Sequence, residues 1–206
     1  MVGLGNPGRQ YARTRHNVGF EVIETLRRRL GLDKGRKAFD GIVTEWPSPC
    51  DGCRRVFLLQ PQTFMNLSGR SAGTLAGFYK VAPPDVLVVL DDLALPLGQL
   101  RARAQGSAGG HKGLSDVLAA LGTPDVPRLR IGIGPRPAQI AGTDFVLGTF
   151  APAEQPVVQK ALELTADAVL DWVRQGIAFV MNRYNSLWRE ETQDTGTIDE
   201  PHDQDV

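Results

Sequence analysis

The sequence has 206 residues, of which 42% are hydrophobic and 22% charged, which suits one globular domain and excludes two full ones. No segment approaches the roughly 20 apolar residues of a membrane-spanning helix, and no basic and then apolar leader begins the chain, so we expect a cytoplasmic protein. All 23 lysines and arginines lie in residues 1–189 with 16 of the acidic residues, and this basic part permits a polyanionic partner. Residues 190–206 hold the other seven acids, so we predict one domain over residues 1–188 and an acidic, disordered tail over 189–206.

Strand-like and helix-like segments alternate along the chain. Six segments have a strand pattern: residues 2–4, 41–46, 55–60, 86–91, 98–104 and 128–134. Helical patterns cover residues 18–30, 66–80, 114–121 and 162–173. The apolar run VLVVL in residues 86–90 predicts a strand that is buried on both faces, as in the middle of a parallel or mixed sheet covered by helices. The sequence therefore predicts an α/β fold.

The first strand and the glycines after it raise the question of nucleotide binding. Gly3, Gly5 and Gly8 have the G-x-G-x-x-G spacing of a dinucleotide-binding turn. That turn needs a helix directly after its last glycine, but here the helical stripe begins at Val18, so the motif favours a tight turn at a strand end instead. The strand covers only residues 1–4, so we expect weak edge pairing, and a start upstream of Met1 stays open.

The two cysteines, Cys50 and Cys53, have the spacing of half a zinc site. A closed site needs four ligands, and the chain has only three histidines. The segment between two predicted strands instead favours a hairpin turn, because Asp51 and Gly52 suit such turns.

Polar side chains, with Phe64 and Met65 among them, lie at or after the ends of several predicted strands, where ligands bind in open α/β sheets. They are Asn6, Tyr11, Arg15, His16, Asn17, Phe64, Met65, Asn66, Asp91, Asp92, His111 and Lys112. A histidine can take a proton from water at neutral pH, an aspartate can orient its ring, and an asparagine amide can bind an oxyanion or a substrate amide. Each residue taken singly has an ordinary alternative as a cap, turn or surface residue. Their joint placement is what predicts a hydrolytic site.

The motifs GLGNPG, YARTRHNVGF, QTFMNLSG, VLDDLALPLG, GSAGGHKGL, RLRIGIG and FVLGTF resemble those of bacterial peptidyl-tRNA hydrolases over residues 2 to 185. These enzymes are cytoplasmic esterases that free tRNA from peptides dropped by the ribosome. The resemblance implies a monomer with a single α/β domain, in which a mixed twisted sheet is flanked by helices on both faces. It also implies no cofactor and no metal.

The resemblance implies a role for each matching residue. His16 would be the general base on the attacking water, Asp91 would hold His16 in its basic form, and Asn6 would distinguish N-blocked aminoacyl groups from free ones. The residues implied to bind the acyl group, the terminal ribose and the tRNA end are Phe64, Asn66 and Tyr11.

Lys112 departs from the family pattern, because many members have GGHNGL where this chain has GGHKGL. A lysine can donate to an oxyanion or a phosphate, but it cannot accept a hydrogen bond from water as an amide can. We therefore keep Lys112 as a substrate-binding residue whose role differs from that of the asparagine.

Two pairs of arginines alternate along predicted strands: Arg101 with Arg103, and Arg128 with Arg130. Each pair would point to one face of its strand, opposite the core. The resemblance places Arg103 and Arg130 in a clamp on the tRNA 5′ phosphate, which recognises tRNA without reading its sequence. Simple solvation of each arginine is the alternative.

Two other functions stay open at this stage. One is a catalytically silent RNA-binding relative, because chloroplast group II intron splicing factors use a similar fold. The presence of His16, Asp91, Asn6 and Asn66 together favours the hydrolase. The other is a nucleotide-dependent oxidoreductase, which the context of the opening glycines disfavours.

Overall fold

The computed structural model describes residues 1–47 and 55–193. Its strands are β1 (Val2–Gly3), β2 (Arg36–Ala38), β3 (Gly41–Pro47), β4 (Arg55–Pro61), β5 (Val88–Pro96), β6 (Leu100–Arg103) and β7 (Arg128–Gly134). Its α-helices are α1 (Val18–Arg29), α2 (Ser68–Tyr79), α3 (Lys112–Leu121), α4 (Gly142–Leu147) and α5 (Gln155–Gln193). None of these helices has both the length and the apolar character that crossing a bilayer requires.

The strands form one mixed sheet in the order β2-β3-β4-β1-β5-β7-β6. The four strands β4, β1, β5 and β7 are parallel, and antiparallel strands extend the sheet at both edges. Our expectation of weak edge pairing for β1 is wrong, because β1 lies in the middle of the sheet, where Val2 pairs with both Leu59 and Val88. Its one side chain, that of Val2, is buried, and backbone hydrogen bonds to both neighbouring strands hold the short strand in place.

Helices cover both faces of the sheet, as the sequence and the family resemblance predict. On one face, α1 and α5 pack through residues such as Val22 and Val169. On the other face, α2 and α3 pack through residues such as Leu75 and Val117. The predicted burial of the VLVVL run on both faces is confirmed, because alternate residues of this segment enter the two opposite cores.

The structure also contains elements that the sequence did not predict. Strand β2 is a short edge strand with two exposed basic residues, and α4 has only six residues, so neither shows a clear apolar period. Helix α5 breaks at Gly176, whose φ of 78° is left-handed, and then continues to Gln193. The rest of the predicted tail lies outside the described residues.

The two strands that flank the predicted hairpin turn pair with each other. Strands β3 and β4 pair antiparallel from Gly41 opposite Pro61 to Pro47 opposite Arg55. Cys50 and Cys53 lie in the connection, outside the described residues.

Two of the glycines let α1 lie directly against the centre of the sheet. A Cβ atom on Gly3 would collide with the backbone of Gly19, and one on Gly19 would collide with the backbone of Leu4 and Val89. The first glycine of the opening motif therefore serves helix packing, while Gly8, with a φ of 109°, makes the turn that we predicted there.

We expect Gly19→Ala to lower the free energy of unfolding by about 1–3 kcal/mol, because the added methyl group meets backbone atoms that cannot rotate away. Urea titration followed by circular dichroism measures this change. Gly77→Ala in α2 is the matched control, since a Cβ there meets nothing within 4 Å. The control should be neutral or stabilising by up to about 1 kcal/mol, and an equal loss in both variants would contradict the packing argument.

Candidate active site

A cleft of about 640 Å³ opens at the carboxyl ends of the parallel strands. Of the nine residues for which the sequence predicts a role, seven line it: Asn6, Tyr11, His16, Phe64, Asn66, Asp91 and Lys112. They come from the segments after β1 and β4, from β5 itself and from the start of α3. Loops that are distant in sequence therefore meet at this edge of the sheet, as the sequence predicts.

The carboxylate of Asp91 lies at the bottom of this cleft and is 3% exposed. Its Oδ1 accepts a hydrogen bond from His16 Nδ1 at 2.7 Å and another from His111 Nε2 at 3.1 Å. The two imidazole rings lie 5.1 Å apart between their centroids. One buried oxygen thus holds both rings.

The hydrogen bonds of each ring fix the position of its proton. The backbone N–H of Leu114 donates to His111 Nδ1, so the proton of the neutral His111 ring is on Nε2 and is donated to Asp91. His16 donates its Nδ1 proton to the same oxygen, which leaves His16 Nε2 as an acceptor. Among the described residues nothing donates to this Nε2, so it is available to a molecule in the cleft.

Two opposing effects act on the Asp91 carboxyl. Burial alone would raise its pKa, but the hydrogen bonds from His111 and His16 outweigh burial and hold the pKa well below its usual range. Asp91 is therefore ionised at neutral pH and can stabilise positive charge on His16.

His16, Asp91 and His111 are also the group of described residues with ligand atoms close enough to share a metal ion. Metal binding through His111 Nε2 would require the ring proton to move to Nδ1, where it would face the Leu114 N–H. The arrangement thus fits a hydrogen-bonded network better than a metal centre.

Hydrogen bonds to the backbone of Asn6 and to its side-chain oxygen hold this residue in place. Its N–H and C=O pair with the side-chain amide of Asn17 at 2.9 and 3.0 Å, and its Oδ1 accepts from the Met65 N–H at 2.8 Å. Only the Nδ2 group of Asn6 has no partner among the described residues. The amide therefore faces the cleft as a hydrogen-bond donor.

The wall of the cleft is apolar and open to solvent. Phe64 is 57% exposed, and Leu93 and Leu147 contribute further exposed apolar surface. Asn66 and Lys112 are exposed beside it. Asn66 does not cap α2, which begins at Ser68 without a side-chain cap, so its amide group is free of that task.

The arginines lie on β6 and β7, outside the cleft. Arg101 and Arg103 are exposed and pair across the ladder with Arg130 and Arg128. Arg130 donates to Asp92 Oδ2 at 2.7 Å and is partly exposed.

The sequence-based placement of Arg128 at the surface is wrong. Arg128 is 2% exposed, because loops on either side cover it, and its guanidinium donates to the carbonyl groups of Gly106 and Pro124. It ties the two loops together and cannot bind a phosphate in this position.

The sequence pattern places His111 and Asn17 near the site but predicts no role for either, and it does not predict α4. The GGHKG segment after a strand end was the available signal for His111. The contact with Asp91 could not be inferred, because it depends on which ring nitrogen caps α3.

We expect Asp91→Asn to destabilise the fold at neutral pH, since both histidines lose an ionised acceptor. The pKa of Asp91 is lower in the folded state than in the unfolded chain, so its stabilising contribution is present above about pH 4 and is lost on acidification below it. The stability difference between the unaltered protein and the variant should therefore shrink between about pH 4 and pH 2, as measured by urea titration. A difference that stays constant over this range would contradict the assigned network.

Comparisons with known proteins identify the family to which the chain belongs. A family model described as peptidyl-tRNA hydrolase matches residues 1–194. A peptidyl-tRNA hydrolase from Desulfitobacterium hafniense (strain Y51) is 49% identical over 185 residues, which are 90% of this chain and 98% of that protein. One from Chloroflexus aggregans is 46% identical over 193 residues, with 91% and 98% covered.

The fold agrees as well. The crystal structure of peptidyl-tRNA hydrolase from Acinetobacter baumannii superposes with a TM-score of 0.82 at 36% identity, covering 90% of this chain and 93% of that one. Because the family model spans nearly all of the chain and the relatives are covered almost completely, the resemblance seen in the motifs is confirmed. The chain belongs to the peptidyl-tRNA hydrolase family.

Proposed function

We propose that this protein hydrolyses the ester bond between a peptide, or an N-blocked aminoacyl group, and the 3′ ribose of tRNA. The observation that carries the proposal is the 2.7 Å hydrogen bond between His16 Nδ1 and Asp91 in a cleft that leaves His16 Nε2 accessible. An oriented histidine with an ionised partner is the minimal equipment for activating water. Family membership supports the same substrate.

His16 acts as general base and then as general acid. Its Nε2 takes a proton from water while the water oxygen forms a bond to the ester carbonyl carbon. The imidazolium that results is stabilised by the Asp91 carboxylate. When the tetrahedral intermediate collapses, the bond to the ribose oxygen breaks, and His16 Nε2 returns a proton to that oxygen. The products are a free carboxylic acid and tRNA with its hydroxyl restored.

Asn6 selects N-blocked substrates through its Nδ2 group. Because its Oδ1 is already bonded to Met65, the side chain offers only N–H donors to the cleft. These can bind the carbonyl oxygen of a peptide or an N-acyl group. They cannot bind an ammonium group, because that group is also only a donor and would lose its water without gaining an acceptor.

The exposed residues of the cleft bind the two ends of the substrate. Phe64 and Asn66 line the path of the acyl group and the terminal ribose, and Tyr11 offers an aromatic face to an unpaired base of the tRNA end. Lys112 adds a positive charge that donates to the carbonyl oxygen or to a phosphate. It cannot accept a hydrogen bond from the attacking water, so that task falls to His16.

Arg103 and Arg130 bind the tRNA body through phosphate. Arg103 pairs with Arg128 on β7. Arg128 lies three residues before Ile131, which pairs with Asp91. Arg103 is thus about 10 Å from Asp91 along the strands and about 10 Å across two strand spacings. This separation lets a phosphate be held apart from the ester.

We further propose that the protein acts as a cytoplasmic monomer without metal or cofactor. A catalytically silent RNA-binding role is not favoured, because a binding module has no use for a histidine held by a buried carboxylate. The comparisons likewise match hydrolases.

His16→Ala should reduce kcat roughly 100- to 10,000-fold, which is the usual contribution of a general base. The assay is release of the acyl group from N-acetyl-aminoacyl-tRNA by purified protein after treatment with a chelator. The unaltered protein should turn over without added metal. Full activity of His16→Ala, or loss of activity on chelation, would contradict the mechanism.

Arg103→Ala should raise KM for full-length substrate and reduce the slope of log KM against log salt concentration by about 1, since one phosphate contact is lost. Hydrolysis of a minimal ester that lacks the tRNA body should be unchanged. Arg28→Ala on α1 is the control, because its side chain is 70% exposed and lies away from the cleft. Equal losses on both substrates would show a folding defect instead of a phosphate contact.

A further inference from the structure

Arg15, the residue directly before His16, is buried although it carries a positive charge. It is 7% exposed, and its Nη2 donates to Glu154 Oε2 at 2.7 Å. Its Nη1 donates to the Ile133 carbonyl at 3.2 Å, at the end of β7. The guanidinium carbon lies 4.4 and 4.6 Å from the ring centroids of Phe145 and Phe150, so the charge is enclosed from several sides.

Glu154 is itself fixed in place. Its Oε2 also accepts a hydrogen bond from the Ala151 N–H at 2.7 Å. Burial would raise the pKa of its carboxyl, but the hydrogen bonds from Arg15 and Ala151 outweigh burial and lower it. The ion pair is therefore complete at neutral pH, with both partners held by the backbone around them.

Stability alone does not explain a charged residue here. Replacing a buried ion pair with apolar side chains of similar volume is often neutral or stabilising, because both charges must be taken out of water. Two phenylalanine rings flank Arg15, so an unbranched apolar chain such as methionine would pack well in its place. The fork of the guanidinium offers something that methionine lacks, namely fixed directions toward Glu154 and Ile133.

Both the backbone and the side chain of Arg15 connect the segment of the catalytic base to one wall of the cleft. The N–H of Arg15 donates to the Gly148 carbonyl at 2.9 Å, and Thr14 forms an isolated bridge with Thr149. Phe145 belongs to α4, and the same helix supplies Thr143, Val146 and Leu147 to the cleft. Arg15, which directly precedes His16, thus contacts the segment that forms this wall.

We propose that Arg15 is a positioning residue that, through Glu154 and the two phenylalanines, fixes His16 and the α4 wall of the cleft relative to each other. The inference rests on the proposed function, in which His16 must lie within reach of a water that attacks a bound ester. An error of about 1 Å in such a geometry can cost about 100-fold in rate. Arg15 itself does not touch the substrate.

The test compares four variants on N-acetyl-aminoacyl-tRNA: Arg15→Met, Arg15→Lys, Glu154→Gln and the double variant that combines Arg15→Met with Glu154→Gln. Arg15→Met should stay folded, because Glu154 reaches solvent and the methionine fills the space between the rings. Its kcat should fall roughly 10- to 100-fold, with KM nearly unchanged because the arginines that bind phosphate are untouched. Arg15→Lys keeps the charge and should restore part of the rate. Glu154→Gln should lose less than Arg15→Met, and the double variant should lose no more than Arg15→Met alone.

A spectroscopic readout separates positioning from mere packing. In ¹⁵N-labelled protein, the Nδ1–H of His16 and the Nε2–H of His111 should both give protected signals, because both donate to Asp91. In Arg15→Met the His16 signal should broaden or disappear, while the His111 signal should persist because α3 holds that ring. Arg29→Met is the matched control, since Arg29 pairs with Asp167 at 2.7 Å far along α1 and should change neither kcat nor the signals.

Each outcome has one meaning. Absence of hydrolysis by the unaltered protein would refute the proposed function, whereas hydrolysis with an unchanged kcat in folded Arg15→Met would refute this inference. If Arg15→Met fails to fold, Glu154→Gln decides, because it changes the charge and leaves the shape. Unchanged kcat and an unchanged His16 signal in Glu154→Gln would then overturn the proposal.

Discussion

The buried carboxylate of Asp91 accepts hydrogen bonds from two histidines that are 75 and 20 residues away in the chain. An ionised carboxylate can stay buried only when donors replace the water that it has lost. Asp91 therefore requires that the segment after β1 and the segment before α3 both reach its position on β5. The same requirement sets the two tautomers and leaves one nitrogen of His16 open to the cleft.

The order of the strands meets this requirement. Because β1 lies between β4 and β5, the segment that follows it emerges beside Asp91 and also beside the segment after β4. Asn6 uses this proximity, since its Oδ1 binds Met65 and its backbone binds Asn17. The site is thus assembled from hydrogen bonds that join the side chains of one segment to the backbone or side chains of another.

The arginines around the site are of two kinds, buried and exposed. Arg15 and Arg128 are buried, and their guanidinium groups donate to backbone carbonyl groups or to Glu154, so they hold segments of the backbone in place. Arg101 and Arg103 are exposed on β6, where a polyanion can reach them. Arginine thus has two different tasks in one fold, and burial distinguishes them.

The sequence by itself determined the class of fold, the main strands and helices, and seven residues that meet in one cleft. It could do so because apolar periodicity reports burial directly, as in the VLVVL run, and because loops at the ends of parallel strands meet at one edge. The tertiary structure alone decided the central place of β1, the short elements β2 and α4, the burial of Arg128, the role of His111 and the network of Arg15. These features depend on contacts between residues far apart in the chain, and no local pattern specifies which donor will meet which acceptor.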